Sequence, residues 1–109
     1  MSFNVITSPR FEKELKALAK KYPSLKQDYS TLVSSLEIDP IQGTSLGNNV
    51  YKIRLAIASK GKGKSGGARV ISYVILNDKT VVLLSIYNKG EIDSISDTDI
   101  KKLVRKYTD

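Results

Sequence analysis

The sequence predicts a small α+β domain, in which an antiparallel twisted sheet packs against a helical hairpin in the order β-α-α-β-β-β-α. Two observations lead to this prediction. Apolar residues recur at helical spacing between residues 11 and 36, and after residue 49 the apolar period changes from 3.6 to 2. The 109 residues match the usual length of one domain, so we expect a single domain over residues 1–109.

The first half of the chain reads as a short strand followed by two helices. Phe3 and Val5 suggest a strand that ends at Thr7, and Ser8-Pro9 is typical of a helix start, because the hydroxyl can cap the helix and proline loses no bond at its first position. Two apolar stripes follow, broken at residues 22–24: Phe11, Leu15, Leu18 and Tyr22, then Leu25, Tyr29, Leu32 and Leu36. Helices joined so tightly should pack as an antiparallel hairpin.

The second half reads as a loop, three strands and a last helix. Residues 41–49 are a loop by composition, and residues 50–58 alternate with Lys52 and Arg54 on the polar side. Residues 68–76 and 80–87 are two β-branched runs joined by a turn, which completes an antiparallel meander. Ser96 to Asp99 resembles a capping box and opens the last helix. We expect the sheet to carry its helices on one face.

Basic residues are concentrated in one part of the chain. The formal charge is +7, and residues 40–77 contain no acidic residue but six basic ones: Lys52, Arg54, Lys60, Lys62, Lys64 and Arg69. A merely solvated surface usually mixes both signs, so this window favours an anionic partner, nucleic acid before others.

The composition excludes several classes of chemistry. Without cysteine there is no disulfide framework and no thiolate metal site, and without histidine any catalysis must use Lys, Arg, Tyr, Ser or carboxylates. The N-terminal residues lack the apolar core of a signal peptide, and no apolar run is long enough to span a membrane. We therefore expect a soluble, cytoplasmic protein with no membrane partner.

Residues 60–67, KGKGKSGG, look like half of a nucleotide-binding phosphate loop. Gly63-Lys64-Ser65 fits the end of that motif, but Ala58 stands where its first glycine belongs, and a strand follows instead of the required helix. Two interpretations remain: a flexible hairpin loop kept soluble by lysine, or a cationic loop that binds RNA phosphates through Lys60, Lys62 and Lys64.

Four motifs together resemble the RelE/ParE toxin superfamily, in particular its RelE- and HigB-like branch. They are YKIRL at 51–55, the Gly-Lys loop, ARVI at 68–71, and Ile86-Tyr87 with Lys89. The resemblance implies the toxin of a bacterial toxin–antitoxin pair, an endoribonuclease that cuts messenger RNA in the ribosomal A site without a metal or other cofactor. Its implied partners are the ribosome, messenger RNA and a cognate antitoxin, expected to be a helix-turn-helix protein. ParE-like relatives share this fold but poison DNA gyrase, so a gyrase poison and a non-catalytic RNA-binding module stay open as alternatives.

Four residues are the candidate catalytic set. Arg54 and Arg69 lie on separate strands of one meander and can converge on the scissile phosphate, although each could be an ordinary surface arginine. Tyr87 and Lys89 follow at the end of the last strand. Lys52 joins the three loop lysines as a candidate RNA contact.

The proton-transfer residues stay open. Strict alternation puts Tyr87 with Leu83 and Ser85, away from a core lined by Val82, Leu84 and Ile86. Tyr87 could stack on a base, exchange protons or anchor the strand end, and a lysine with a lowered pKa could act as base. The chain departs from RelE at Gly90, where RelE has arginine, and at residues 94–96, where RelE has tyrosine.

Overall fold

Within residues 2–61, 63, 66–90 and 95–108, which the computed structural model describes, the chain forms five strands, three α-helices and a short 3₁₀ turn at 58–60. In chain order the elements are β1 (Asn4–Thr7), α1 (Pro9–Lys21), α2 (Leu25–Ile38), β2 (Thr44–Gly47), β3 (Val50–Leu55), β4 (Ala68–Ile75), β5 (Thr80–Asn88) and α3 (Asp97–Arg105). No helix in the described part of the chain is long and apolar enough to cross a membrane.

Both helix starts predicted from serine are confirmed. The Ser8 hydroxyl accepts a hydrogen bond of 3.0 Å from the Phe11 amide, with Pro9 at the first helical position of α1. The Ser96 hydroxyl accepts one of 3.1 Å from the Asp99 amide at the start of α3. Each cap satisfies an amide that the helix itself leaves without a partner.

The sheet has the order β1-β5-β4-β3-β2 and is mixed. The predicted meander is confirmed, because β3, β4 and β5 pair antiparallel in sequence. The expectation of a purely antiparallel sheet is wrong, since β1 pairs parallel to β5. The two helices, β2, β3 and β4 separate these strands in the chain, and a parallel pair requires a long connection of this kind.

Sequence reading took residues 41–49 as a loop and missed β2. All four residues of β2 are exposed, so it lacks the apolar alternation that reveals a strand. The signal that could have found it is the Asn48-Asn49 pair, since both residues have a positive φ, as the central residues of a tight hairpin turn do.

Two apolar cores lie on opposite faces of the sheet. On the face that α1 and α2 cover, here the hairpin face, Ile53, Val70 and Leu83 pack with Phe11 and other helical residues. On the other face, here the α3 face, Ile71, Val82 and Leu84 pack with Ile100 and Leu103 of α3. The expectation that all helices cover one face is therefore wrong for α3, whose apolar stripe needed a core of its own.

A β-bulge interrupts β5. Ile71 pairs with Ser85, but its neighbour Ser72 pairs with Leu83, so Leu84 is an extra residue on β5. The extra residue exchanges the faces of everything beyond it. Ile86 joins the core of the hairpin face and Tyr87 joins that of the α3 face, so the sequence-based placement of both residues was wrong.

Candidate functional site

Three candidate residues form a row across the α3 face. Arg54 of β3 is the register partner of Arg69 on β4, and Arg69 is the partner of Tyr87 on β5. Facing side chains of antiparallel strands have Cβ atoms about 4.5–5.5 Å apart. Lys52 lies on the same face, two residues along β3 from Arg54. The sheet thus assembles these side chains from three strands.

The outer cations of this region have no side-chain partner among the residues that the structure describes. Arg54 is exposed, and within the described residues its side chain makes no hydrogen bond or ion pair. The side-chain amines of Lys52 and Lys89 also make no hydrogen bond or ion pair within the described residues. Like charges directly opposite each other on a sheet are generally destabilising, and an anion bound at Arg54 would offset such repulsion.

Arg69 lies beside Arg54 on the neighbouring strand and is 6% exposed. Its Nη1 donates a hydrogen bond of 3.2 Å to the Ala68 carbonyl, among other contacts. A guanidinium keeps its proton even when buried. Arg69 therefore contributes a fixed positive charge close to the exposed Arg54.

Tyr87 is 4% exposed, and within the described residues its hydroxyl lacks a hydrogen-bond partner of normal geometry. Burial raises the pKa of Tyr87, and the Arg69 charge and the nearby Ile95 backbone only partly oppose this. The ring belongs to the same core as Ile100, which argues against base stacking. The residue thus presents a neutral hydroxyl beside Arg69.

Lys89 follows β5 and is exposed. Its amide donates a hydrogen bond of 3.2 Å to the Gly67 carbonyl, which extends the pairing of β4 and β5 by one residue. The next amide, of Gly90, donates 3.3 Å to Oδ1 of Asn88. These two bonds define the turn that carries the lysine.

Lys60 lies apart from the row. Its Nζ donates a 2.7 Å hydrogen bond to Oδ1 of Asn88 and lies 5.2 Å from the centre of the Tyr22 ring. Nδ2 of Asn88 donates a hydrogen bond of 2.8 Å to Oη of Tyr22. Asn88 pairs with Ala68, a residue of the hairpin-face core, so this group lies on the other side of the sheet from Arg54. The other two loop lysines, Lys62 and Lys64, lie outside the described residues.

Sequence reasoning missed the contacts that hold the start of the Gly-Lys loop. Oδ2 of Asp28 accepts hydrogen bonds from the Ala58 amide at 3.1 Å and from the Ser24 hydroxyl at 2.7 Å. The Ser59 amide donates 2.8 Å to the same Ser24 hydroxyl. Ala58 lies 30 residues from Asp28, and Ser59 lies 35 residues from Ser24. No local sequence pattern indicates contacts over such separations.

An open groove of about 520 Å³ runs beside β3, between α2 and residues 42–44. Lys52 and Arg54 are among its lining residues. No three His, Cys, Asp or Glu side chains within the described ranges are grouped closely enough to hold a metal ion.

No family model matches the chain. Solved structures do: a mutant of the Escherichia coli toxin RelE in the free state has a TM-score of 0.64 at 18% identity, covering 97% of this chain and 98% of that one. The isolated E. coli RelE toxin has a TM-score of 0.58 at 22% identity, covering 94% of this chain and 97% of that one. The RelBE2 toxin–antitoxin complex of Mycobacterium tuberculosis gives 0.59 at 15% identity, with 81% and 92% covered. The chain has the fold of the RelE toxins.

Proposed function

We propose that the chain is the toxin of a type II toxin–antitoxin pair and cleaves messenger RNA on the ribosome. The observation that supports this most is the unneutralised Arg54 facing Arg69, on a sheet with the RelE fold. Arg54 has no acidic partner among the described residues, which suits the binding of a polyanion. Tyr87, the register partner of Arg69, adds a buried hydroxyl beside the pair.

The proposed reaction is attack of a ribose 2′-hydroxyl on the adjacent phosphorus. The O2′–P bond forms, the P–O5′ bond breaks, and the products are a 2′,3′-cyclic phosphate and a 5′-hydroxyl. Charge builds up on the non-bridging oxygens in the transition state, and cations aimed at them lower the barrier. A well-placed donor of this kind contributes about 3–4 kcal/mol.

Arg54 is the residue proposed to bind the scissile phosphate, because its guanidinium is exposed and can form two parallel hydrogen bonds. Arg69, its register partner on β4, is proposed to stabilise the extra negative charge of the phosphorane. A raised pKa keeps the buried Tyr87 hydroxyl protonated, so its proposed role is that of a hydrogen-bond donor within the site and not that of a base. Lys89, which is exposed and follows Tyr87 at the end of β5, is the fourth residue of the proposed catalytic set.

Lys52, Lys62 and Lys64 are proposed to hold the RNA through its phosphates. Lys52 lies beside Arg54 on the same face and lines the groove along β3. The placement of Lys60 against Asn88 supports a structural role for this lysine instead.

A toxin of this kind needs a partner that restrains it. The M. tuberculosis neighbour is a toxin–antitoxin complex, and a similar partner is proposed here. The basic α3 face suits an antitoxin segment with acidic and apolar residues, which could fold as it binds. A small helix-turn-helix gene adjacent to this one would support the pairing.

The direct test is primer extension on messenger RNA after induced expression of the chain, with the Arg54→Ala variant as control. The expected result is a set of cuts at the ribosomal A site that the variant lacks. Purified ribosomes programmed with the same message should reproduce the cuts, and free message should stay intact. Unchanged message together with unaffected translation would exclude the proposed activity.

A supercoiling assay with purified DNA gyrase separates the gyrase-directed alternative. The proposed ribonuclease leaves gyrase activity unchanged at concentrations that stop translation. Inhibition of gyrase without any RNA cleavage would assign the chain to that other class.

A further inference from the structure

Helix α1 replaces β1 along the outer edge of β5. The parallel pairing of β1 and β5 ends at Thr7 and Leu83. Beyond that point, Ser8 and residues of α1 make the hydrogen bonds to the outer edge of β5. The Ser8 amide donates 3.0 Å to the Leu83 carbonyl, and the Ser8 hydroxyl donates 2.9 Å to the Leu84 carbonyl. Ser8 is 1% exposed, so both bonds are sheltered from water.

Glu14 makes the next contacts along this edge. Its Oε1 accepts hydrogen bonds from the Ser85 hydroxyl at 2.8 Å and from the Ile86 amide at 3.2 Å. Its Oε2 lies 3.3 Å from Nε of Arg10, one turn earlier in α1. A carboxylate is a strong acceptor, and here it binds a backbone amide that neither β1 nor β4 is positioned to satisfy.

These contacts fall on the bulge. Leu84 is the extra residue, and Ser85 and Ile86 follow it at once. Without the bulge, the alternation set by Val81 and Leu83 would carry Tyr87 to the hairpin face. With it, Tyr87 becomes the register partner of Arg69 on the α3 face.

We propose that Glu14 is a positioning residue for the candidate site, because it holds the β5 bulge that brings Tyr87 beside Arg69. This proposal rests on the proposed function only for its catalytic consequence. The carboxylate lies on the hairpin side of the sheet and acts through the backbone of residues 85–87, without touching RNA. Its removal leaves a backbone amide at a part-buried position without its acceptor, and the register of the strand end loosens.

The first test does not depend on activity. Tyrosine-ring NMR signals and amide hydrogen exchange are compared in wild type, Glu14→Ala, Glu14→Gln and Glu12→Ala, with the Tyr87 signal assigned from Tyr87→Phe. In Glu14→Ala the Tyr87 signal should shift or broaden, and the Ile86 amide should exchange at least tenfold faster. Glu14→Gln retains the accepting oxygen and should resemble wild type. Glu12→Ala removes an exposed carboxylate of the same helix and is the matched control.

The second test is a double-mutant cycle on RNA cleavage. Glu14→Ala should lower the single-turnover rate about tenfold in wild type, and Glu14→Gln should restore it. In the Tyr87→Phe background the same substitution should have little further effect, since its target is already lost. A general loss of stability would instead add to the Tyr87 effect.

Ser85→Ala is the second variant, in case Glu14→Ala does not fold. It removes one of the two bonds to Oε1 and should give a smaller change of the same kind in the Tyr87 signal. An unchanged Tyr87 signal and unchanged Ile86 exchange in both variants would overturn the proposal, whatever the activity. Changed signals in a chain that cuts no RNA would keep the structural role of Glu14 and reject the proposed ribonuclease instead.

Discussion

Arg54 and Arg69 face each other across β3 and β4, the former exposed and the latter 6% exposed. Within the described residues no carboxylate pairs with Arg54. A sheet is weakened by like charges at facing positions. The pair is the observation that most supports the proposal that this face binds an anion.

The first prediction separates stability from activity at this pair. Arg54→Ala should lower the cleavage rate about 100- to 1000-fold, because a donor to the developing charge is removed. It should leave stability unchanged or raise it by up to about 1 kcal/mol, since the repulsion from Arg69 disappears. Single-turnover cleavage and urea unfolding measure the two effects.

Lys26→Ala is the matched control for Arg54→Ala, because Lys26 is also exposed and lies on α2, away from the row. Lys26→Ala should change neither the cleavage rate nor the stability by much. Ribosome binding should fall much less than cleavage in Arg54→Ala and Arg69→Ala. Equal losses of binding and cleavage would contradict a role on the reacting phosphate.

The second prediction divides the loop lysines by function. Replacing Lys62 and Lys64 by alanine should weaken RNA binding and flatten its salt dependence, by about 0.7 in log–log slope for each phosphate that is no longer neutralised. Lys60→Ala should leave that slope unchanged. It should instead lower the stability by about 1.5 kcal/mol, because the charged amine no longer donates its hydrogen bond to Asn88.

Binding titrations at several salt concentrations, with urea unfolding of the same three variants, check this division. A salt slope that falls equally for Lys60→Ala would show that Lys60 leaves Asn88 and binds RNA. Its present position against Tyr22 would then describe only the free protein.

The third prediction concerns pH. Burial raises the pKa of Tyr87 above its usual value of 10.0. As pH rises through 10, the unfolded chain releases this proton and the folded chain keeps it, so the folded state loses stability. Tyr87→Phe should therefore lose less stability between pH 8 and 11 than wild type. It should also be at least as stable at pH 8, because the buried hydroxyl that is removed has no partner of normal geometry among the described residues.

Tyr29→Phe is the control for the pH prediction. Burial, aided by the charge of Glu12, also raises the pKa of Tyr29, so this variant should flatten the alkaline loss in the same way. It lies on the hairpin face and should keep full cleavage activity. Urea midpoints at pH 8 and 11 give the comparison, and a Tyr87→Phe profile identical to wild type would show that the hydroxyl ionises normally.

The sequence was sufficient for the elements that local patterns encode. The Ser8 cap, the two helical stripes and the alternation of Lys52 and Arg54 against apolar neighbours all follow from spacing, and each is found in the structure. The placement of Arg54 and Arg69 on separate strands of one meander also followed, but their register as facing partners came only from the structure.

The rest depends on contacts between distant segments. The parallel pairing of β1, the second core under α3 and the bulge at Leu84 leave no periodic signal in the sequence. The bulge had the largest consequence for the site, because one unpaired residue moved Tyr87 to the other face. Glu14, 71 residues away from Ser85, carries no motif that would have indicated its part in this.

The fourth prediction concerns the glycine that closes the Gly-Lys loop. A Cβ atom on Gly67 would lie 2.1 Å from the Leu55 carbonyl oxygen, and backbone on both sides limits how far it can retreat, since the Gly67 carbonyl also accepts from Lys89. Gly67→Ala should thus cost about 2–3 kcal/mol and reduce cleavage, because the ends of β3, β4 and β5 separate beside Arg69. In Gly90→Ala the nearest atom is 3.8 Å away, at Oδ1 of Asn88, so the change in stability should stay within about 0.5 kcal/mol. Urea unfolding of the two variants tests the contrast, and equal stability would mean that the strand ends can separate without strain.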